Sequence, residues 1–294
     1  LANHNFHPAP PIVLVIAGFD PSCGAGVAAD LKTIGAHNCY GVAAITALTS
    51  QSTQGVKSIH PAPSATLREQ LDTLAEDVVF SAVKIGMLGN RGNAAVVAEF
   101  LDRMKLANVV LDPVIQPTSG GPNLLDTAGI KFIGEELIKR AAVITPNVPE
   151  AELLTGIQIK DVASMEAAAR KLVERGAKAA VVKGGHMEKP IDVLFDGVDS
   201  VTLGGDLVKM LNTHGSGCTF ASAIASQLAS GRGLREAVML AKTYVTKAME
   251  HGFSIGKGPG PLDHFYRSHQ EPPTRGVHEV PQHGMHPAAE PTAH

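Results

Sequence analysis

An alternation limits the fold of this chain more than any other feature: short runs of Val, Ile, Leu and Ala recur, each followed by a longer stretch with helical spacing. The runs "IVLVIAG", "YGVAAITAL", "AVKIGM", "NVVLDPV", "AVITPN" and "AAVVKGG" carry few polar interruptions. A strand that is apolar at successive positions is buried on both faces, so helices must cover the sheet above and below. Parallel strands supply such helices as crossovers, and the pattern predicts an α/β chain with a mostly parallel sheet. Helices are predicted near residues 25–37, 64–77, 91–105, 126–140, 148–155, 162–176, 217–230 and 233–251. The last places Leu234, Ala237, Val238, Ala241, Tyr244, Val245 and Ala248 on one apolar face. "VLFDG" and "VTLGG" are predicted to form a hairpin between the sheet and the last helices. Neither an internal repeat nor a Pro/Gly/Ser-rich linker divides residues 12–266, which are expected to form one domain.

Residues 1–11 and 269–294 are rich in Pro and His and poor in large apolar side chains, so disordered tails are expected there. The irregular spacing of the C-terminal histidines argues against a defined metal site. With 25 Lys+Arg against 28 Asp+Glu, the chain has no charge excess to attract nucleic acid, and a small molecule is the expected partner. No apolar run approaches the ~20 residues of a membrane span, and the basic start of a targeting peptide is missing. Cys23, Cys39 and Cys218 lack C-x-x-C spacing, which points away from a zinc site or a disulfide framework. The expectation is a soluble, cytoplasmic protein.

Two glycine-rich turns stand ahead of predicted helices. In "NTHGSGCTF", Gly215, Ser216 and Gly217 allow the main chain to turn its N–H groups toward one point, where the next helix leaves its first amides unpaired. Such a cradle suits a phosphoryl group that gains charge during transfer. Cys218 falls in the first helical turn, where the dipole lowers a thiol pKa and an accessible thiolate is expected; packing as a small apolar side chain beside Ala221 and Ile224 is the other reading. The second turn, "AGFDPSCGAGVAADLK", repeats the design with Gly24 and Gly26. Asp30 lies about 40° from Ile34 around that helix, so its carboxylate reaches the edge of the apolar face. An inward acid needs a partner, either a substrate hydroxyl or amine, or nearby backbone.

Polar residues also cluster at strand ends, where open α/β sheets bind ligands. Asp112 closes "VVLD", Asn147 and Glu150 follow "VITP", Lys183 ends "AVVK", and Gln51 follows "ITALTS". Together they offer carboxylates for Mg²⁺ and a lysine point charge for phosphate. No G-x-x-x-x-G-K-[ST] occurs, so a P-loop kinase is excluded, and "GFDPSCGAG" fails the dinucleotide fingerprint in spacing.

From about Ile12 to Tyr266 these motifs, in this order, resemble the ribokinase-like superfamily and, within it, the hydroxymethylpyrimidine/phosphomethylpyrimidine kinases of thiamine biosynthesis. They are "IAGFDPSCGAGVAADLKT", "GVAAITALTSQST", "VKIGML", "VVLDPV", "VITPNVPEAELLTG", "VVKGGH", "NTHGSGCTFASAIA" and "GKGPGPLDHF". The resemblance implies a three-layer α/β/α fold and a homodimer. It implies ATP with Mg²⁺ and two phosphorylations, of 4-amino-5-hydroxymethyl-2-methylpyrimidine and then of its monophosphate. It implies pyrimidine contacts at Gly18, Asp30, Thr49, Gln51, Met87 and Val114, and catalysis at Cys218 with the amides of Gly215, Ser216 and Gly217. Nucleotide and magnesium positions fall on Asn147, Lys183 and Thr213, and on Asp112 and Glu150.

Three residues depart from the family pattern: Ser216 in place of Thr or Ala, Cys23 in place of Gly, and Thr49 in place of Val or Ala. The first two are small and are expected to preserve their turns. Pyridoxal kinase is the nearest alternative activity. Gln51 favours the aminopyrimidine, because an amide pairs with its donor and acceptor edge. A cysteine hydrolase using Cys218 with His214, and a non-catalytic pyrimidine-binding regulator, are the alternatives from other classes.

Overall fold

The computed structural model describes residues 9–116, 122–185, 191–204 and 212–270; the expected tails, apart from 9–11 and 269–270, lie outside them. In chain order the elements are β1 (Ile12–Phe19), α1 (Gly26–Ala36), β2 (Tyr40–Ser52), β3 (Gly55–Pro61), α2 (Ser64–Asp77), β4 (Ala82–Ile85), α3 (Arg91–Met104) and β5 (Val109–Leu111). There follow α4 (Thr127–Glu135), β6 (Val143–Ile144), α5 (Val148–Thr155), α6 (Val162–Glu174), β7 (Ala180–Gly184), β8 (Ile191–Phe195), β9 (Ser200–Leu203), α7 (Ser216–Ala229) and α8 (Leu234–Glu250). The sheet runs β3-β2-β1-β4-β5-β6-β7-β8-β9. Strands β2, β1, β4, β5, β6 and β7 are mutually parallel, and antiparallel β3 and the β8–β9 pair close its two edges.

Alternation along β1 produces the two cores. Leu14 and Ile16 enter the layer formed with α2, α3, α4, α5 and α6, while Val13, Val15 and Ala17 enter the layer formed with α1, α7 and α8. Both faces of the strand are therefore apolar, which is why its sequence reads as an unbroken run. The α/β/α expectation holds.

Four details differ from the sequence reading. Strand β3 was not expected, because "GVKSIHP" mixes Lys57, Ser58 and His60 with its apolar residues, as suits a half-exposed edge. The helix predicted over 126–140 ends at Glu135, and a short 3₁₀ turn spans Leu137–Arg140. The predicted hairpin forms, but it lies in the sheet, where β8 covers the otherwise unpaired edge of β7. Cys23 adopts φ +57°, a left-handed conformation in which a non-glycine residue is strained by about 1–2 kcal/mol. Its turn nevertheless closes, with Cys23 N–H donating to Asp20 O at 2.9 Å. Backbone angle, rather than size, is what this departure from glycine alters.

One polar residue hides inside an apolar strand. Lys84 of β4 points into the α1/α7 layer and is fully buried, as is Asp30. Lys84 Nζ donates to both Asp30 oxygens, at 2.9 and 2.7 Å, and Ser222 Oγ of α7 donates to the same carboxylate at 2.7 Å. The chain thus ties β4, α1 and α7 together beneath the carboxyl ends of the strands.

Candidate active site

The amino ends of α1 and α7 meet at the carboxyl ends of the parallel strands, and their glycine turns interlock. Gly215 caps α7 at φ +83°, and a Cβ there would overlap the carbonyl oxygen of Gly24. A Cβ at Gly24 would in turn overlap the ring of His214. Neither helix has a side-chain cap or an acidic residue in its first turn, so both present bare amides and a positive end. The amides are not equivalent. Ser216 N–H donates to Thr213 O at 3.2 Å, whereas Gly217 and Cys218 have no such backbone partner among the described residues. Ser216 therefore closes the turn, and the amides of Gly215, Gly217 and Cys218 are left without a backbone partner among the described residues.

Gly217 and Cys218 line a cavity of about 100 Å³ that opens to solvent at its mouth. Of the expected residues, Gly18, Thr49, Gln51, Met87, Asp112, Val114, Asn147, Glu150, Lys183, Gly215, Gly217 and Cys218 line it. Gly18 leaves room for Met87, whose sulfur would lie 3.0 Å from a Cβ at that position. Thr49 donates its hydroxyl to Phe19 O at 3.0 Å, so the polar end of this departure from Val or Ala is satisfied by main chain.

Three expected residues lie elsewhere. Asp30 does not line the cavity: the ion pair with Lys84 commits its carboxylate to the core, which answers the need for a partner in a way that neither sequence reading foresaw. Ser216 and Thr213 are likewise absent from the lining, their nearest polar atoms being used in the turn. Asp20 and His214, by contrast, line the cavity without having been assigned to the site. The lone acid within "GFDPSCGAG" was the available signal, because a carboxylate among small residues has only backbone and incoming side chains to pair with.

Beside Gly217, Asp112 accepts from Lys183 Nζ at 3.0 Å and from Thr145 Oγ1 at 3.2 Å. Burial pulls Lys183 down, but Asp112 and Glu150 outweigh it and hold the ammonium above its usual range. Glu150 and Asn147 form a capping box at the start of α5: Asn147 Oδ1 accepts from Glu150 N–H at 2.9 Å, and Glu150 Oε2 from Asn147 N–H at 3.0 Å. Glu150 Oε1 also accepts from Ile115 N–H at 3.3 Å. Burial pushes its carboxyl up to about 7, against the pull of Lys183. Both Glu150 oxygens are therefore already engaged, and no cluster of three or more His, Cys, Asp or Glu suited to a metal occurs among the described residues. Asp112 and Glu150 supply two carboxylates, short of a full coordination shell, which fits an ion that keeps several of its own waters, as Mg²⁺ commonly does.

Cys218 reverses its expectation. Burial pushes its thiol up to about 11; Lys84 pulls down, while Asp30 and Asp112 push further up. The Gly26 amide at the start of α1 favours the thiolate without overcoming these effects. At pH 8 such a thiol is about 10⁻³ ionised, against roughly a quarter for an ordinary cysteine. We expect iodoacetamide to modify Cys218 at least ~100-fold more slowly than a free thiol at pH 8, with the rate rising about tenfold per pH unit to pH 10. Peptide mapping reads this directly, and an ordinary rate at pH 8 would mean that the helix end dominates after all. His214 does have an acidic partner, but its Nε2 is committed to Asp20 at 2.8 Å, and no hydrogen bond joins it to Cys218 among the described residues. The nucleophile–base pair of a hydrolase is not assembled.

The family described as "Phosphomethylpyrimidine kinase" matches residues 20–263. The chain is 42% identical to the hydroxymethylpyrimidine/phosphomethylpyrimidine kinase of Bacillus subtilis, over 86% of this chain and 94% of that protein. It is 43% identical to a thiamine biosynthesis bifunctional protein of Geobacter sulfurreducens over 86% of its own length, but it spans only 52% of that longer relative. Among solved structures, the pyridoxal kinase of Staphylococcus aureus in complex with AMP-PCP and pyridoxal is similar at a TM-score of 0.81 and 32% identity, covering 90% of this chain and 97% of that one. No helix among the described residues is long and apolar enough to cross a membrane. By sequence match and by fold, the chain belongs to the phosphomethylpyrimidine kinase family.

Proposed function

We propose that this protein uses ATP to phosphorylate the hydroxymethyl group of 4-amino-5-hydroxymethyl-2-methylpyrimidine, and then the monophosphate so formed, acting in the cytoplasm. The observation that carries this reading is a pairing of opposites in one cavity. The bare Gly217 and Cys218 amides and the Lys183 ammonium line the same cavity as Gln51, Met87 and Val114. The first set suits a phosphoryl group, and the second suits a flat ring with a donor and acceptor edge.

Phosphoryl transfer passes through a loose transition state and depends on positioning and charge stabilisation. Gly217 and Cys218 would hold the migrating group, with Lys183 beside it. A Cβ at Gly217 would lie 3.1 Å from Lys183 Nζ, so glycine keeps this corner open. Magnesium, carried by the nucleotide, would neutralise phosphate charge, with Asp112 and Glu150 reaching it through water. With its thiol mostly protonated at neutral pH, Cys218 would accept the alcohol proton only as its minor thiolate form, which becomes the thiol, and late, once the oxygen has begun to bond. The second transfer starts from an anionic phosphate and needs no such base.

ADP release should be measured with the pyrimidine alcohol, its monophosphate and pyridoxal. Turnover of both pyrimidines is expected. Release with pyridoxal alone would replace this reading by pyridoxal kinase, and a ligand-induced rise in melting temperature without ADP would indicate a regulator.

A further inference from the structure

Gln51 shares a single ring nitrogen with Asp20. His214 Nε2 lies 2.8 Å from Asp20 Oδ2 and 3.4 Å from the amide end of Gln51. Asp20 also accepts from Ser22 N–H at 2.8 Å, Ser22 Oγ at 2.8 Å and Ala25 N–H at 3.0 Å. Burial disfavours its ionised form, yet the bonds from His214 and Ser22 prevail and hold the carboxyl below its usual range. A carboxylate only accepts, so Nε2 must carry a hydrogen, whether the ring is neutral or charged. The His214 ring is buried and lies against Gly24, where a Cβ would overlap it.

That hydrogen fixes the next group. With the amide nitrogen of Gln51 toward His214 and its oxygen 3.2 Å from Thr49 Oγ1, two N–H groups would confront each other. Rotation of the amide by half a turn removes the conflict. Gln51 Oε1 then takes the weaker share, at 3.4 Å, of the one Nε2 hydrogen that Asp20 holds at 2.8 Å, and Gln51 Nε2 donates to Thr49 Oγ1, whose own hydrogen goes to Phe19 O.

We propose that Asp20 and His214 are positioning residues that lock the Gln51 amide with its oxygen toward residues 214–218, and thereby decide which edge of the ring is read and which way round the ring lies. This rests on the aminopyrimidine reading of the site. The free lone pair of Oε1 takes the 4-amino group on the His214 side, and the free N–H of Nε2 takes the ring nitrogen on the Thr49 side. The hydroxymethyl carbon adjoins the amino-bearing carbon, so it falls toward the Gly217 and Cys218 amides. With the amide reversed, the same ring would point its alcohol away from them.

The diagnostic substrate is the 4-oxo analogue, which presents C=O and N–H where the amine and ring nitrogen stood. A locked amide meets it with like groups, whereas a free amide can turn over. The unmodified protein is expected to prefer the 4-amino compound by at least ~10³-fold in kcat/KM. His214→Phe keeps a flat ring on Gly24 but has no hydrogen to give, and it should lower that preference at least tenfold. Asp20→Asn can donate to Nε2 and so turn His214 into an acceptor; it should do the same or invert the preference. His214→Gln, which still donates to Asp20, should restore it. An unchanged preference in folded His214→Phe and Asp20→Asn overturns the lock. In the unmodified protein at pH 8.5, ¹⁵N–¹H correlation of the His214 ring should show a protonated Nε2; a bare Nε2 overturns the lock whatever the variants do. Failure of the unmodified protein to phosphorylate the 4-amino compound would instead overturn the proposed function, leaving the ring measurement to test the lock alone.

Discussion

Gly215→Ala is expected to lower kcat/KM for the pyrimidine at least ~100-fold and to destabilise the fold by about 1–3 kcal/mol. Two causes act together. The residue sits at φ +83°, where an L side chain is strained, and its Cβ would overlap the Gly24 carbonyl, which is backbone and cannot swing aside. Relief requires the two glycine turns to part, and that moves the Gly217 and Cys218 amides off the position of the migrating group. Gly217→Ala is the matched control. Its φ is not in the left-handed region, and the nearest obstacle is the far end of Lys183, a flexible side chain 3.1 Å away. A loss of roughly tenfold is expected there, with little change in stability. Steady-state kinetics and urea melts of both variants separate the effects. If Gly215→Ala kept full activity, the amide cradle would not be the source of catalysis.

The largest effect on stability is expected at Lys84. Lys84→Met leaves the Asp30 carboxylate buried with only Ser222 to satisfy it, and loss of one partner from a buried pair costs about 3–5 kcal/mol. The double variant Lys84→Met with Asp30→Leu removes both charges and should recover most of that loss, because two desolvated ions are exchanged for packed apolar atoms. Urea unfolding of the two proteins is the measurement. Equal stability of the single and double variants would show that the pair is not coupled in the fold. Lys84 pulls the Cys218 pKa down and Asp30, the smaller effect, pushes it up, so the double variant removes two opposed effects and alkylation of Cys218 at pH 9 to 10 should slow only slightly.

Much of the frame was legible. The runs at Ile12–Phe19 and Ala180–Val182 read as buried strands because each side of the strand meets a helix layer, and that demand appears at successive residues. The helix at Leu234–Glu250 was found to within a residue at each end, since burial of Ala237, Val238, Ala241, Tyr244, Val245 and Ala248 repeats at the helical period. The glycine turns were legible for a different reason: the absence of a side chain is itself a steric statement. Gly24 and Gly215 could be marked without knowing what approached them, although only the structure shows that they approach each other.

What the chain alone determined was the layered architecture, the place of the two glycine turns and most of the cavity lining, because these depend on local periodicity and on residue size. Tertiary structure decided the partners and the electrostatics. Asp30 was turned into the core by Lys84, 54 positions away; His214 was fixed by Asp20, 194 positions away; and the Cys218 thiol was raised by burial that no neighbour in sequence supplies. Charge and proton placement depend on distance and solvent exclusion in three dimensions, and neither is encoded at any single position of the chain.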